Sequence, residues 1–131
     1  MTPSFAARGS TMEDRIRFIT HKGKQILLVD LSHCTAAEVE RISGLVPLFV
    51  TVEPRDSLLI LGDFTGAQIN RKAADRIKLG AVLDRPHIKR SAWVGTEAIP
   101  HVFFENMKSF TQRELTSFKT REEALDWLVH D

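Results

Sequence analysis

The sequence holds one cysteine, Cys34, so no internal disulfide can staple the chain. No apolar run approaches the ~18 to 20 residues that cross a bilayer as a helix, and the N-terminus lacks a basic stretch followed by an apolar segment. Neither an integral membrane segment nor a secretory leader is expected, and a reducing cytoplasm is the expected address. An excess of one charge is missing as well. Eighteen Lys+Arg face seventeen Asp+Glu for a net +1, so no global field recruits nucleic acid, anionic lipid or acidic substrates, and no nucleic-acid partner is expected. Internal repeats, low-complexity tracts and interdomain linkers are also absent. What remains is a chain of 131 residues, 43% hydrophobic and 27% charged, the composition of one globular domain. Folding at this length removes roughly two-thirds of the extended surface from water, which supports a core without metal or disulfide.

Residues 1–13 (MTPSFAARGSTME) are small, polar and aperiodic, and are expected to be a disordered leader ahead of a single domain over 14–131, with Met12 as a second start. Arg15 to Thr20 alternates, and His21-Lys-Gly-Lys24 turns it into the almost wholly apolar Gln25 to Leu31, an edge strand leading into a central one. Thr35-Ala-Ala-Glu38 has the pattern of a capping box. The helix behind it carries Val39, Ile42, Val46, Phe49 and Val52 on one stripe, with Gly44 and Pro47 expected to kink or divide it. Ser57 to Gly62 reads as a strand covered on both faces. Arg71 to Leu83 reads as a helix whose small face (Ala73, Ala74, Ile77, Gly80, Ala81) can lie close to a sheet, stopped by Asp84-Arg-Pro86. Ile88 to Gly95 is a further strand, followed by a helix after Pro100 with the stripe Ile99, Phe103, Met107 and Phe110. Leu115 to Phe118 and a second capping box, Thr120 to Glu123, open the last strand and helix. The order ββαβαβαβα predicts an α/β fold. An antiparallel N-terminal edge hairpin leads into parallel strands joined by right-handed crossover helices.

Ile26-Leu-Leu-Val-Asp-Leu-Ser32, Ser57-Leu-Leu-Ile-Leu-Gly-Asp-Phe-Thr-Gly66, Ile88-Lys-Arg-Ser-Ala-Trp-Val-Gly95 and Phe118-Lys-Thr-Arg-Glu-Glu-Ala-Leu-Asp-Trp-Leu128 together resemble the STAS/SpoIIAA-like family of small bacterial proteins, over nearly everything after residue 14. The resemblance implies a SpoIIAA-like mixed sheet with an antiparallel edge strand. Much of that family is functionally uncharacterised, so it speaks to fold more than to role. Anti-sigma-factor antagonists of the superfamily carry a phosphorylatable Ser in an Asp-Ser-Ser-Gly turn. Here the region reads Thr65-Gly-Ala-Gln-Ile-Asn-Arg-Lys72, so that switch is not carried over. The fold is also similar to that of CRAL-TRIO lipid-carrying domains, which implies a small apolar-ligand carrier as an alternative role.

Parallel sheets of this kind bind ligands beyond the carboxyl ends of their strands. The exit loops there supply Ser32, His33, Asp63, Thr65, Gly66, Thr96 and the Lys119-Thr120 pair, a rim of hydroxyls and small residues that suits a small polar or anionic ligand or a protein partner. Helix capping explains the same residue types without any ligand. No Gly-rich phosphate loop accompanies them, and neither a cofactor nor a metal is expected, because the five histidines are dispersed apart from the adjacent His33-Cys34. Asp30 and Asp63 end two central strands, where a close pair could divide acid and base roles in an unrecognised enzyme. An Asp in such a place more often bonds a loop amide, and no catalytic residue is assigned. The basic cluster Lys78, Arg85, His87, Lys89 and Arg90 lacks interleaved aromatics apart from Trp93, which belongs in a core. Val102, Phe103, Phe104 and Met107 exceed what one helix face needs. They are expected in the core, in a homodimer surface or along an apolar cavity. The leading expectation is a non-catalytic regulatory or interaction module.

Overall fold

The structure, a computed structural model, describes residues 14–111 and 114–130; the leader expected over 1–13 and the side chain of Phe110 fall outside the described residues. Strands β1 (Ile16–His21) and β2 (Lys24–Asp30) form the expected hairpin across the two-residue turn Lys22-Gly23. Helix α1 (Ala36–Val50), β3 (Leu58–Asp63), α2 (Arg71–Asp84), β4 (Ile88–Val94), α3 (His101–Thr111), β5 (Glu114–Phe118) and α4 (Arg121–Val129) follow. The five strands lie in sequence order, β1 antiparallel to β2 and all later neighbours parallel.

Crossovers of one hand that step the same way place their helices on one face. Accordingly Val39, Ile42 and Val46 of α1, Ala73 of α2 and Met107 of α3 join Leu27, Val29 and Trp93 in one core layer. α4 follows β5 and packs on the opposite face, where Ala124, Leu128 and Val129 meet Ile26, Leu28, Leu61 and Val94. Side chains alternate along a strand, so the continuous apolar run of β2 feeds both layers.

Two local readings change. The helix expected to kink or divide at Gly44 and Pro47 is not divided and runs from Ala36 to Val50, so that Val52, expected on its stripe, falls beyond its end and is exposed. Pro47 sits in its last turn, where Thr51 bonds the Pro47 carbonyl through both its amide (2.9 Å) and its hydroxyl (2.7 Å). The small face of α2, expected against the sheet, packs chiefly on α1 instead. Gly80 and Ala81 are too short to reach the strands from there, and a pocket remains beneath them. Thr35 closes a complete capping box with Glu38, whereas at α4 the Thr120 hydroxyl accepts from the Glu123 amide without the reciprocal bond.

Candidate functional site

Asp30 and Asp63 are register partners at the matching ends of β2 and β3. Each begins the same turn, Asp-apolar-hydroxyl, in Asp30-Leu-Ser32 and Asp63-Phe-Thr65. The Asp30 carboxylate accepts from the Ser32 amide (3.0 Å) and hydroxyl (2.6 Å), and the Asp63 carboxylate from the Thr65 amide (2.9 Å) and hydroxyl (2.7 Å). Leu31 and Phe64, between acid and hydroxyl, drop into the core. The residue after each hydroxyl is left-handed, His33 at φ 58° and Gly66 at φ 67°. A His33 amide bond to the Thr65 carbonyl (2.7 Å) fixes the two turns side by side.

One guanidinium joins both turns. Arg121, first residue of α4, donates from Nε to Asp63 Oδ2 at 2.7 Å and holds Asp30 Oδ1 at 3.1 Å through Nη2. Arg15 closes the outer side, donating to the Ser32 carbonyl (2.9 Å) with its Nη1 3.7 Å from Asp30 Oδ1. Burial alone would raise the Asp30 carboxyl, but the Ser32 bonds and the charges of Arg121 and Arg15 outweigh it and hold the group below its ordinary range. For Arg121, burial lowers the guanidinium and the two aspartates more than restore it, so it stays charged. Two carboxylates and two guanidiniums cancel, leaving no net field to attract an anion. Asp63 is only 5% exposed, and its carboxylate supports the rim from beneath.

The other rim residues stand above this cluster. His33, Thr65 and Gly66 are exposed, while Ser32 and Thr96 are half-buried. Thr96 opens a short turn whose preceding residue, Gly95, is left-handed at φ 73°. A Cβ on Gly95 would run into the Thr65 backbone, whereas one on Gly66 would meet the His33 ring first, 2.5 Å from Nδ1. Gly95→Ala is therefore expected to cost about 3 kcal/mol, summing left-handed strain and overpacking against fixed backbone. Gly66→Ala should cost about 1 kcal/mol, since an exposed ring can turn away. Urea unfolding of both variants checks the order; equal losses would mean that Gly95 is not wedged on Thr65.

His33-Cys34 is not assembled chemistry. His33 is exposed, Cys34 is buried, and burial pushes its thiol up, away from the thiolate a nucleophile needs. Among the described residues no three His, Cys, Asp or Glu side chains could hold a metal together. Two members of the basic cluster serve the fold. Arg90 donates to the carbonyls of Trp127 (3.0 Å) and His130 (2.6 Å), and His87 Nδ1 lies 2.7 Å from the Glu53 carbonyl. Trp93 packs between Phe64 and Phe104, with ring centroids 4.7 and 5.4 Å away. On α3 the apolar excess is largely absorbed: Phe104 and Met107 are buried, Phe103 leans on the core, and Val102 is exposed. Only Met107 of these four lines the pocket under α2.

Sequence reading named the two acids and the rim but missed Arg121 and Arg15. Arg121 had a signal, a cation in the first turn of a helix, where the dipole favours acids.

No protein-family model matches the chain, and no curated protein matches it. Among solved structures it is similar to an uncharacterized protein of the DUF3478 family with a SpoIIAA-like fold from Shewanella loihica PV-4. The two are 20% identical and superpose with a TM-score of 0.65 over 86% of this chain and 91% of that one. The chain thus has a SpoIIAA-like fold, as the sequence motifs implied, and its described helices include none long and apolar enough to cross a membrane.

Proposed function

From a SpoIIAA-like fold whose strand-end acids are already occupied, we propose that this chain is a non-catalytic regulatory or interaction module. It engages a protein partner, or a small polar ligand, through Ser32, His33, Thr65, Gly66 and Thr96. The observation that carries this reading is the sharing of Arg121 between Asp30 and Asp63. A general acid or base must exchange its proton with substrate, and these carboxylates are held by charged donors and by the hydroxyls beside them. What the clasp supplies instead is rigidity: two fixed turns present a hydroxyl, an imidazole and a bare glycine backbone at one edge. With charges balanced beneath the rim, a neutral polar contact is favoured over an anion.

A photo-crosslinking amino acid at Thr65, compared in the protein's own cells with one at Arg55 beyond the opposite end of β3, tests the surface. A discrete adduct from position 65 and none from 55 is expected; equal yields would overturn the rim assignment. Turnover of ester, phosphoester or glycoside substrates that disappears in a folded Asp63→Asn variant would overturn the non-catalytic reading.

A further inference from the structure

Beneath α2, on the helix-covered face of the sheet, lies a pocket of about 100 Å3 that reaches Leu31 and Phe64 on the underside of the rim turns. Its walls are apolar, among them Val46, Ile60, Ile77, Trp93 and Met107. One group does not suit such walls. Asp84, the last residue of α2, lines the pocket at 4% exposure, and its Oδ1 is buried with no hydrogen-bond partner among the described residues. Its placement is doubly unfavourable, because a helix C-terminus repels negative charge. Buried polar atoms are nearly always paired, so an orphan carboxylate oxygen on a residue that lines a cavity calls for a partner that the described residues do not supply.

We propose that this pocket binds a small, mostly apolar amine, with the Asp84 carboxylate as counter-ion to its ammonium group. An ammonium brings the Asp84 carboxylate both a positive charge and donors, and such charge-assisted bonds are the strong ones. A metal ion would need further ligands. Among the described residues the other charged group lining the pocket is Arg85, and the other hydrogen-bonding side chains are Ser43, Ser91 and the indole of Trp93. Size sets the class: an apolar cavity of about 150 Å3 holds a benzene ring, and this pocket, smaller but not closed, takes one ring or a short branched chain. The small residues Gly80 and Ala81 create the space, since larger side chains there would fill it. Burial pushes the Asp84 carboxyl up to about 7, so the amine must compete with a proton near neutrality. The proposal does not depend on a ligand at the rim.

Benzylamine is the probe, with benzyl alcohol as its uncharged counterpart of the same shape. Both are titrated by calorimetry and by amide NMR following Ile60, Gly80 and Ala81. At pH 8 benzylamine is expected to bind roughly tenfold or more tightly than the alcohol. In the wild-type protein its affinity should fall about tenfold per pH unit below 7, as protons take the carboxylate. Asp84→Asn should bring the two probes within about twofold of one another. Equal affinity of amine and alcohol for the wild type, shifts confined to His33 and Thr65, or no shift at 50 mM probe, as for a pocket holding only water, would each overturn the proposal. The wild-type pH slope decides the matter even if the variant folds poorly.

Discussion

Replacing Asp84 by asparagine is expected to stabilise the protein by about 2 kcal/mol at pH 8 and to do nothing, or slight harm, at pH 4. Burial pushes this carboxyl from 3.8 to about 7 in the folded state, so the native protein prefers it protonated, while the unfolded chain releases the proton near 4. The sign follows from linkage. Stability associated with the group is fully present below the unfolded value, declines as pH rises from about 4, and is lost above about 7. Three pKa units correspond to roughly 4 kcal/mol at the alkaline limit. An asparagine escapes that cost but still buries an amide, which returns about 1 to 3 kcal/mol of it. Urea unfolding at pH 4, 6 and 8 measures the difference. A gain that is independent of pH would mean that the carboxyl ionises in the native state as easily as in water. A native protein that keeps such a group sacrifices stability at a point where a ligand can return it.

The opposite sign is expected for Arg121→Met. This change keeps the bulk of the stem and removes the charge that two carboxylates share. Breaking a fully buried pair costs about 3 to 5 kcal/mol, because the remaining charge is left uncompensated. Arg121 keeps 38% of its side chain exposed, so solvent screens part of that loss, and about 2 kcal/mol is expected at pH 7. Asp30 gives the pH dependence. Its carboxyl is held below the ordinary range, so the stability it contributes is present above about 4 and lost as pH falls through the lowered native value. The difference between variant and wild type should therefore narrow on acidification. Helix α4 is expected to stay docked, because Ala124, Leu128 and Val129 remain buried against Ile26, Leu28, Leu61 and Val94. A variant as stable as the wild type at pH 7 would show that the clasp contributes nothing.

Periodicity and turn chemistry made the element order readable. The alternation in β1, the two-sided apolar run of β2 and the Thr35 capping box are all local, and each acts where the sequence places it. Asp30 and Asp63 were legible as strand-end acids, and their hydroxyl neighbours as turn residues, because an Asx turn is complete within three residues. Their common partner lies 58 residues beyond Asp63, on the far side of two crossovers, so no spacing rule connects them. The pocket was hidden for a related reason. Gly80 and Ala81 allow close packing on any surface, and whether they meet the sheet or α1 depends on the competing fit of α1, which periodicity does not express. Arg121 and Asp84 share one mark, a sign opposed to the helix dipole: Arg121 begins a helix and Asp84 ends one. Charges so placed have work elsewhere.

Most rests on a shared guanidinium that holds the Asp30 carboxyl below its ordinary range and bonds Asp63 from the same side. A carbon-detected NMR titration of the Asp30 carboxyl measures this most directly. The account predicts a midpoint below the ordinary 3.8 that moves upward in Arg121→Met. A wild-type midpoint at or above 3.8, unchanged by that substitution, would contradict it.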